Sequence, residues 1–354
     1  MSDKEISVDN PELPPTSQPQ HQWKLGEAIN LIIGAGIFIA PGNIWRLARS
    51  PGHALIFWIV GGLIKLYSFF AWRLSEKGQS DSNSFPRNAV YGFAFDYKLF
   101  KFLFGFATVN IIIPGAIIAN SFIASKYLLY AIQGEDGQEF SNYGKDFGVA
   151  YFDKEFVAIR FLAVAILGII TAYHMFTIRN KYVNYSICLN QILVVFKVVS
   201  LLAFAFIGIF KANDSAFIPT IKNNWRQMFN STIFNNYTSS AEHFGSYGNA
   251  MLQVLYSYEG WNHLSYSSEE LEITGVYRKY SVLARVCFSF VLYILVNIAF
   301  ILLVDPKLVA DPQNANESIA IDYGIRLYGE FGRKYMSYLI AISSFSSMDS
   351  MVLL

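Results

Sequence analysis

The sequence predicts an all-α integral membrane fold. Eight transmembrane helices are expected, with helices 1 and 6 broken and the chain arranged as an inverted repeat of five-helix halves, the second half incomplete. Three observations predict this. Apolar residues fill 53% of 354 positions and charged residues only 15%, with 31 Phe and 22 Tyr, which is too greasy and charge-poor for an ordinary soluble domain. The apolar residues gather into runs of about 20 or more, the length that carries a helix across a bilayer. Two of those runs, five apart in order, are interrupted by glycine at their centres. A net charge of +1 gives no electrostatic pull toward nucleic acid.

Residues 1–24 are polar and proline-rich without periodicity, and read as a disordered tail. They lack the basic start and apolar centre of a signal peptide, so the first span is expected to act as its own uncleaved insertion signal.

Span 1 covers about Leu25–Leu47, and at its centre stands Ile32-Ile33-Gly34-Ala35-Gly36-Ile37-Phe38-Ile39-Ala40-Pro41. Glycine is a poor helix former and proline removes a backbone donor. Irregular backbone at membrane depth is tolerated only where it is buried in protein or lines a cavity. A half-helix start offers free N–H groups to an anion and freed carbonyls suit a cation, so such a break suits a zwitterion. The competing reading is that small-x-small spacing serves close helix packing.

Span 2 is expected at about Ala54–Trp72, span 3 at Phe100–Ile132, span 4 at Phe156–Phe176 and span 5 at Ile187–Phe210. Span 6, about Gly248–Tyr266, carries the second interruption, Tyr256-Ser257-Tyr258-Glu259-Gly260-Trp261-Asn262. An ionisable Glu259 at mid-membrane is costly and usually faces a pathway or partner; the alternative is a helix that ends early, leaving the carboxylate in interfacial water. Span 7 covers about Val282–Val304. Span 8 starts near Tyr335 and is still running at Leu354, from which a fragment, a truncated gene product or a degenerate copy is expected. Chains built from five-helix repeats place a broken helix first in each repeat, so spans 1–5 (25–210) and 6–8 (247–354) are expected to be a first repeat and part of a second. The pairing of breaks favours a shared cavity over packing alone.

The remaining polar residues read more plainly. Lys65 and Lys197 interrupt spans 2 and 5 and are expected to be structural lysines facing water or a carbonyl. Ser343, Ser344, Ser346 and Ser347 in span 8 suit cavity lining and helix packing equally. The acidic stretch Glu135, Asp136, Glu139, Asp146, Asp153 and Glu155 matches no calcium-loop spacing and reads as solvated loop. Cys188 and Cys287 suggest neither a disulfide framework nor a metal site, and no cofactor is expected. No HExxH or GxSxG motif points to an enzyme. Lysine and arginine are balanced across the two faces, so the positive-inside rule does not orient the chain. The glycosylation triplets at Asn213, Asn230, Asn236 and Asn316 share one face while Asn184 lies on the other, which predicts a cytosolic N-terminus.

At its two breaks the sequence resembles the amino acid–polyamine–organocation superfamily, and within it the L-type amino-acid transporters and fungal methionine-permease-like members. The stretch from Ile32 to Phe38 with Pro41 is similar to that family's helix 1 signature, and Tyr256 to Asn262 to its helix 6 signature. Phe85-Pro86-Arg87, the run Val109 to Ala116, and Ala341-Ile342-Ser343-Ser344-Phe345 extend the resemblance from Leu25 to the C-terminus. The resemblance implies a secondary transporter for neutral, methionine-like L-amino acids, working by alternating access in a plasma membrane. It implies that the amides of Gly34, Ala35 and Gly36, beside Ile33, receive the substrate carboxylate. The carbonyls of Ile32, Tyr256 and Glu259, beside Ser257, would receive the ammonium group, with Tyr258 and Trp261 at the pocket or its gate. Ala35 stands where the family often has serine, and Glu259 where it has a small or polar residue. The family's animal members bind a glycoprotein heavy chain through a cysteine in the loop between helices 3 and 4. No cysteine stands there, so no disulfide-linked heavy chain is expected. The partners implied are a small amino acid and the lipid bilayer. A non-transporting nutrient sensor or degenerate permease is the alternative.

Overall fold

A computed structural model describes residues 30–76, 98–133, 154–179, 183–234, 240–260, 276–311 and 318–353. The predicted tail, the acidic residues Glu135 to Asp153, Phe85-Pro86-Arg87, Trp261, Asn236 and Asn316 lie outside these residues; Glu155, expected in the same loop, is in a helix that begins at Lys154. The described residues form helices throughout, without strands.

Span 1 is helical at residues 30–32, irregular at 33–35 and helical again in α1 (Gly36–Ala48). Helix α2 (Pro51–Glu76) follows after a tight turn. Span 3 is two helices, α3 (Lys98–Ala107) and α4 (Ile113–Gln133), joined by one π-helical turn over Thr108–Ile112. Pro114 explains the turn: it has no N–H to give Asn110, and its ring crowds that carbonyl, so the backbone widens instead of breaking. Helix α5 is Lys154–Arg179 and α6 is Val183–Lys211. The expected loop after span 5 contains a short amphipathic helix, α7 (Ile218–Gln227). Its buried Asn224 amide donates to the carbonyls of Ile301 at 3.0 Å and Val304 at 2.9 Å, capping the end of the seventh span. Helix α8 is Ser240–Ser257, α9 is Val276–Leu303, α10 is Pro306–Ala310 and α11 is Ile319–Leu353.

Helix α11 is not the single span beginning near Tyr335 that the hydropathy suggests. Its backbone leaves the helical region at Tyr328 and Gly329, giving a short arm over 319–327 and a long one over 330–353. The arms fold close enough that a Cβ on Gly324 would meet the Gly332 carbonyl oxygen at 2.6 Å. Arg333, wholly buried, starts the long arm and donates to the Tyr130 carbonyl at the end of α4, 2.8 Å away.

Among the described residues, six helical stretches are long and apolar enough to cross a membrane, against the eight expected: Asn30–Ala48, Pro51–Phe70, Gly105–Ile132, Val157–Thr177, Cys188–Lys211 and Leu283–Leu303. Their outer faces carry Leu63, Val109, Phe161, Val164 and Val195, all exposed; lipid, not water, suits such a band. Helix α11 is more polar because its polar face turns inward. Every serine from Ser343 to Ser350 is buried, as is Asp349. The core joins Trp45, Trp58, Tyr293, Phe300 and Leu339, so spans 1, 2, 7 and 8 meet at its centre. Gly61 and Gly62 let α2 approach Val254 of α8 and Phe290 of α9, whose side chains occupy the space a Cβ would need.

Candidate functional site

At both expected interruptions the described backbone leaves the helix, and the two places touch. In span 1 the Gly34 amide turns back onto the Ile32 carbonyl at 3.1 Å. Helix α1 then starts at Gly36 with no side chain capping its N-terminus, which leaves the amide end polarised toward an anion. In span 6 the helix stops at Ser257, and Gly260 has a left-handed φ of 104°. A Cβ on Gly260 would collide with the Leu31 carbonyl, and one on Gly36 would lie 3.1 Å from Ser257 Oγ. Glycine at both places is what lets the breaks abut.

Tyr293 of α9 binds the breaks together. Its hydroxyl donates to the freed Ile32 carbonyl at 2.7 Å and lies 3.1 Å from the Ser257 carbonyl. Its ring packs against Tyr258, with centroids 4.9 Å apart, and edge-on against Trp58 at 5.5 Å. Tyr258 is buried there, its hydroxyl donating to the Trp58 carbonyl at 3.3 Å, so it backs the breaks from inside the core.

The other expected site residues separate. Ile32, Ile33 and Ala35 are buried at the first break, and Gly34 and Gly36 are partly open. The Tyr256 side chain is 66% exposed, and its carbonyl accepts the Glu259 amide at 3.0 Å. The Glu259 carboxylate pairs with Lys65 of α2, so Lys65 faces a carboxylate, not the expected water or carbonyl.

Behind the first break lies a buried polar file that the sequence only hinted at. Lys197 of α6, 1% exposed, donates to the Ile33 carbonyl at 2.6 Å and the Asn30 side-chain oxygen, with Ser347 Oγ at 3.3 Å. The Asn30 amide reaches Asn190 Oδ1 at 2.9 Å, the Ser346 carbonyl at 2.7 Å and Ser350 Oγ at 2.7 Å. Ser346 Oγ donates to Asn30 Oδ1 at 2.8 Å and Ser347 Oγ to the Asn30 carbonyl at 3.2 Å. A broken helix strands backbone carbonyls inside the protein, and buried acceptors left unpaired cost about 1–3 kcal/mol each. The ammonium and the serines supply the missing donors. Lys197 thus does face a carbonyl as expected, and Ser346 and Ser347 line the break while Ser344 bonds back onto its own helix at Ile340. Asn30, Asn190 and Tyr293 were missed, although a polar side chain inside an apolar span is itself the signal. Among the described residues no His, Cys, Asp and Glu group could hold a metal ion.

Membrane-crossing helices around two abutting breaks define an integral membrane protein of the permease class. The chain belongs to the amino acid permease family, whose sequence model matches residues 26–353. It is 24% identical over 342 residues to amino acid transporter protein 6 of Caenorhabditis elegans, covering 96% of this chain and 58% of that protein. It is 25% identical to the mouse large neutral amino acids transporter small subunit 2, covering 92% and 54%. It is 24% identical to the mouse b(0,+)-type amino acid transporter 1, covering 84% and 53%. The chain therefore spans little more than half the length of these relatives. The family is one of permeases and not of enzymes.

Proposed function

We propose that this chain binds an L-amino acid at the two breaks and belongs to a secondary transporter that moves it by alternating access. The observation that carries this reading is the contact of the breaks, with Gly260 against Leu31 and Gly36 against Ser257. The substrate carboxylate would meet the uncapped amides at Ala35 and Gly36, and the ammonium group the carbonyls of Ile32, Tyr256 and Glu259. With the Glu259 carboxylate already neutralised by Lys65, the site suits a substrate of no net charge. That favours neutral, methionine-like amino acids, in keeping with the relative named for large neutral amino acids. Residues 25–210 would form the first repeat and 247–354 part of the second. A plasma membrane with a cytosolic N-terminus fits the glycosylation triplets, of which Asn213 is exposed and Asn230 half-buried. No disulfide-linked heavy chain is expected, because residues 134–153 contain no cysteine.

The test is uptake of labelled neutral amino acids by a permease-deficient host expressing the chain. Uptake is expected, and loss of it in Gly36→Leu, which pushes a side chain into Ser257 and the amide end of α1. A host that gains no uptake from a chain present in its membranes would overturn the proposal. The alternative, a membrane-embedded sensor, draws on the Tyr293 hydroxyl and the Lys65 ammonium already occupying groups expected to meet the substrate. It would show binding without uptake.

A further inference from the structure

Where spans 5 and 7 end, α7 turns one face away from the protein. Ile218, Trp225 and Phe229, the last in the turn that follows the helix, are 40%, 60% and 57% exposed. Lys222 and Arg226 stand exposed among them, and helical spacing puts these side chains on one face. Lys222 and Arg226 are like charges four apart in sequence, an arrangement that repels on a helix. Among the described residues neither side chain makes an ion pair or a hydrogen bond. Asp214, the acidic residue nearest to them in sequence, turns its Oδ1 to the Ala216 amide at 3.2 Å.

The level of this face is set by the ends of two membrane spans. Span 5 ends at Lys211, shortly before α7 begins. Asn224 grips the Ile301 and Val304 carbonyls where span 7 ends at Leu303. Arg326, on the short arm of α11, donates to Thr220 Oγ1 at 2.7 Å, so α7 is held from a third side. Lys211 itself lies over the Tyr328 ring, 4.5 Å from its centroid, and Phe210 beside it is exposed. Aromatic rings next to basic side chains at the ends of spans are the composition of a surface that meets lipid headgroups.

We propose that α7 is a phospholipid-binding helix. Lys222 and Arg226 hold the headgroup phosphate, and Ile218, Trp225 and Phe229 lie at the boundary between headgroups and acyl chains. The occupant is a membrane lipid and not a soluble partner. The apolar part of the face needs a hydrocarbon neighbour and its two unmatched cations need an anion; at the end of a membrane span one phospholipid supplies both. Phe210, on the last turn of α6, carries the lipid-facing band of span 5 to the same level. A lipid bound there steadies the Asn224 cap and the Arg326 contact, and through them the end of span 7 and the short arm of α11.

The experiment places the full chain in phosphatidylcholine vesicles with increasing fractions of phosphatidylglycerol brominated on its acyl chains, where bromine quenches nearby tryptophan. The Trp225 signal is the wild-type emission less that of Trp225→Phe. It is expected to be quenched, and more strongly by bromine near the headgroup than by bromine near the chain end. In Lys222→Gln/Arg226→Gln the phosphatidylglycerol fraction giving half of the quenching should rise about tenfold, since each basic residue near an anionic surface contributes several-fold. A Trp225 signal untouched by brominated lipid would show that α7 faces water or another protein, and would overturn the inference. The same half-quenching fraction in the wild type and the double variant would overturn it as well. The depth reading needs only the wild type and Trp225→Phe, and neither reading needs amino acid movement, so failure of the function proposed above leaves this test intact.

Discussion

The Lys197 ammonium lies 2.6 Å from the Ile33 carbonyl, at the point where span 1 stops being helical. Isolated in an apolar run, that lysine looks like an error of composition; in the fold it replaces the hydrogen bonds that the break removes. Lys197→Met keeps the stem but leaves the Ile33 carbonyl without its donor. A loss of about 3 kcal/mol is expected, the order found when one partner of a buried charged contact is deleted. It is read as a lower midpoint of thermal unfolding in detergent. An unchanged midpoint would mean that the break does not need the ammonium.

Tyr293→Phe isolates a single hydroxyl. The ring contacts with Trp58 and Tyr258 remain, but the donor shared by Ile32 and Ser257 is gone. The expected cost is about 1–2 kcal/mol, again read from thermal unfolding, with the packing control Tyr293→Ala falling much further.

Gly260→Ala attacks the contact between the breaks directly. Its φ of 104° is strained for any L residue, a cost of order 1–3 kcal/mol. The new methyl group would also meet the Leu31 carbonyl. Thermal unfolding should drop by more than for Gly245→Ala, where the added Cβ meets nothing within 4 Å.

The Lys65–Glu259 pair predicts a non-additive pair of variants. Glu259 is 41% exposed on its side chain, so the coupling is modest, about 1 kcal/mol. Lys65→Met alone leaves a carboxylate unmatched beside the breaks, and Lys65→Met/Glu259→Gln should recover most of the lost stability. A loss in the double variant equal to the sum of the losses in Lys65→Met and Glu259→Gln would show that the two residues act independently.

Much of this was legible in the residues. Apolar run length placed spans 1–5 and 7, and glycine at mid-span marked, to within a residue or two, where the described backbone leaves the helix in spans 1 and 6. The Pro114 turn, the folded arms of α11 and the cap from Asn224 were not legible, since each depends on what a neighbouring helix leaves unpaired. The polar file behind span 1 was half visible. Lys197 stood out, whereas Asn30 and Asn190 look unremarkable one at a time and acquire meaning only when neighbouring helices bring them together. Lys65 and Glu259 were each weighed alone for the same reason: periodicity shows which face a side chain takes, not which partner waits there.

The central claim is that the exposed peptide ends at the two breaks recognise the charged groups of a free amino acid. Its most direct measurement is equilibrium binding of labelled methionine to the purified chain, with competitors that lack one charge. The account predicts saturable binding that is displaced by free methionine, not by its methyl ester or its N-acetyl derivative, and abolished in a folded Gly36→Leu variant. Equal displacement by the ester and the acid, or undiminished binding to Gly36→Leu, would contradict it.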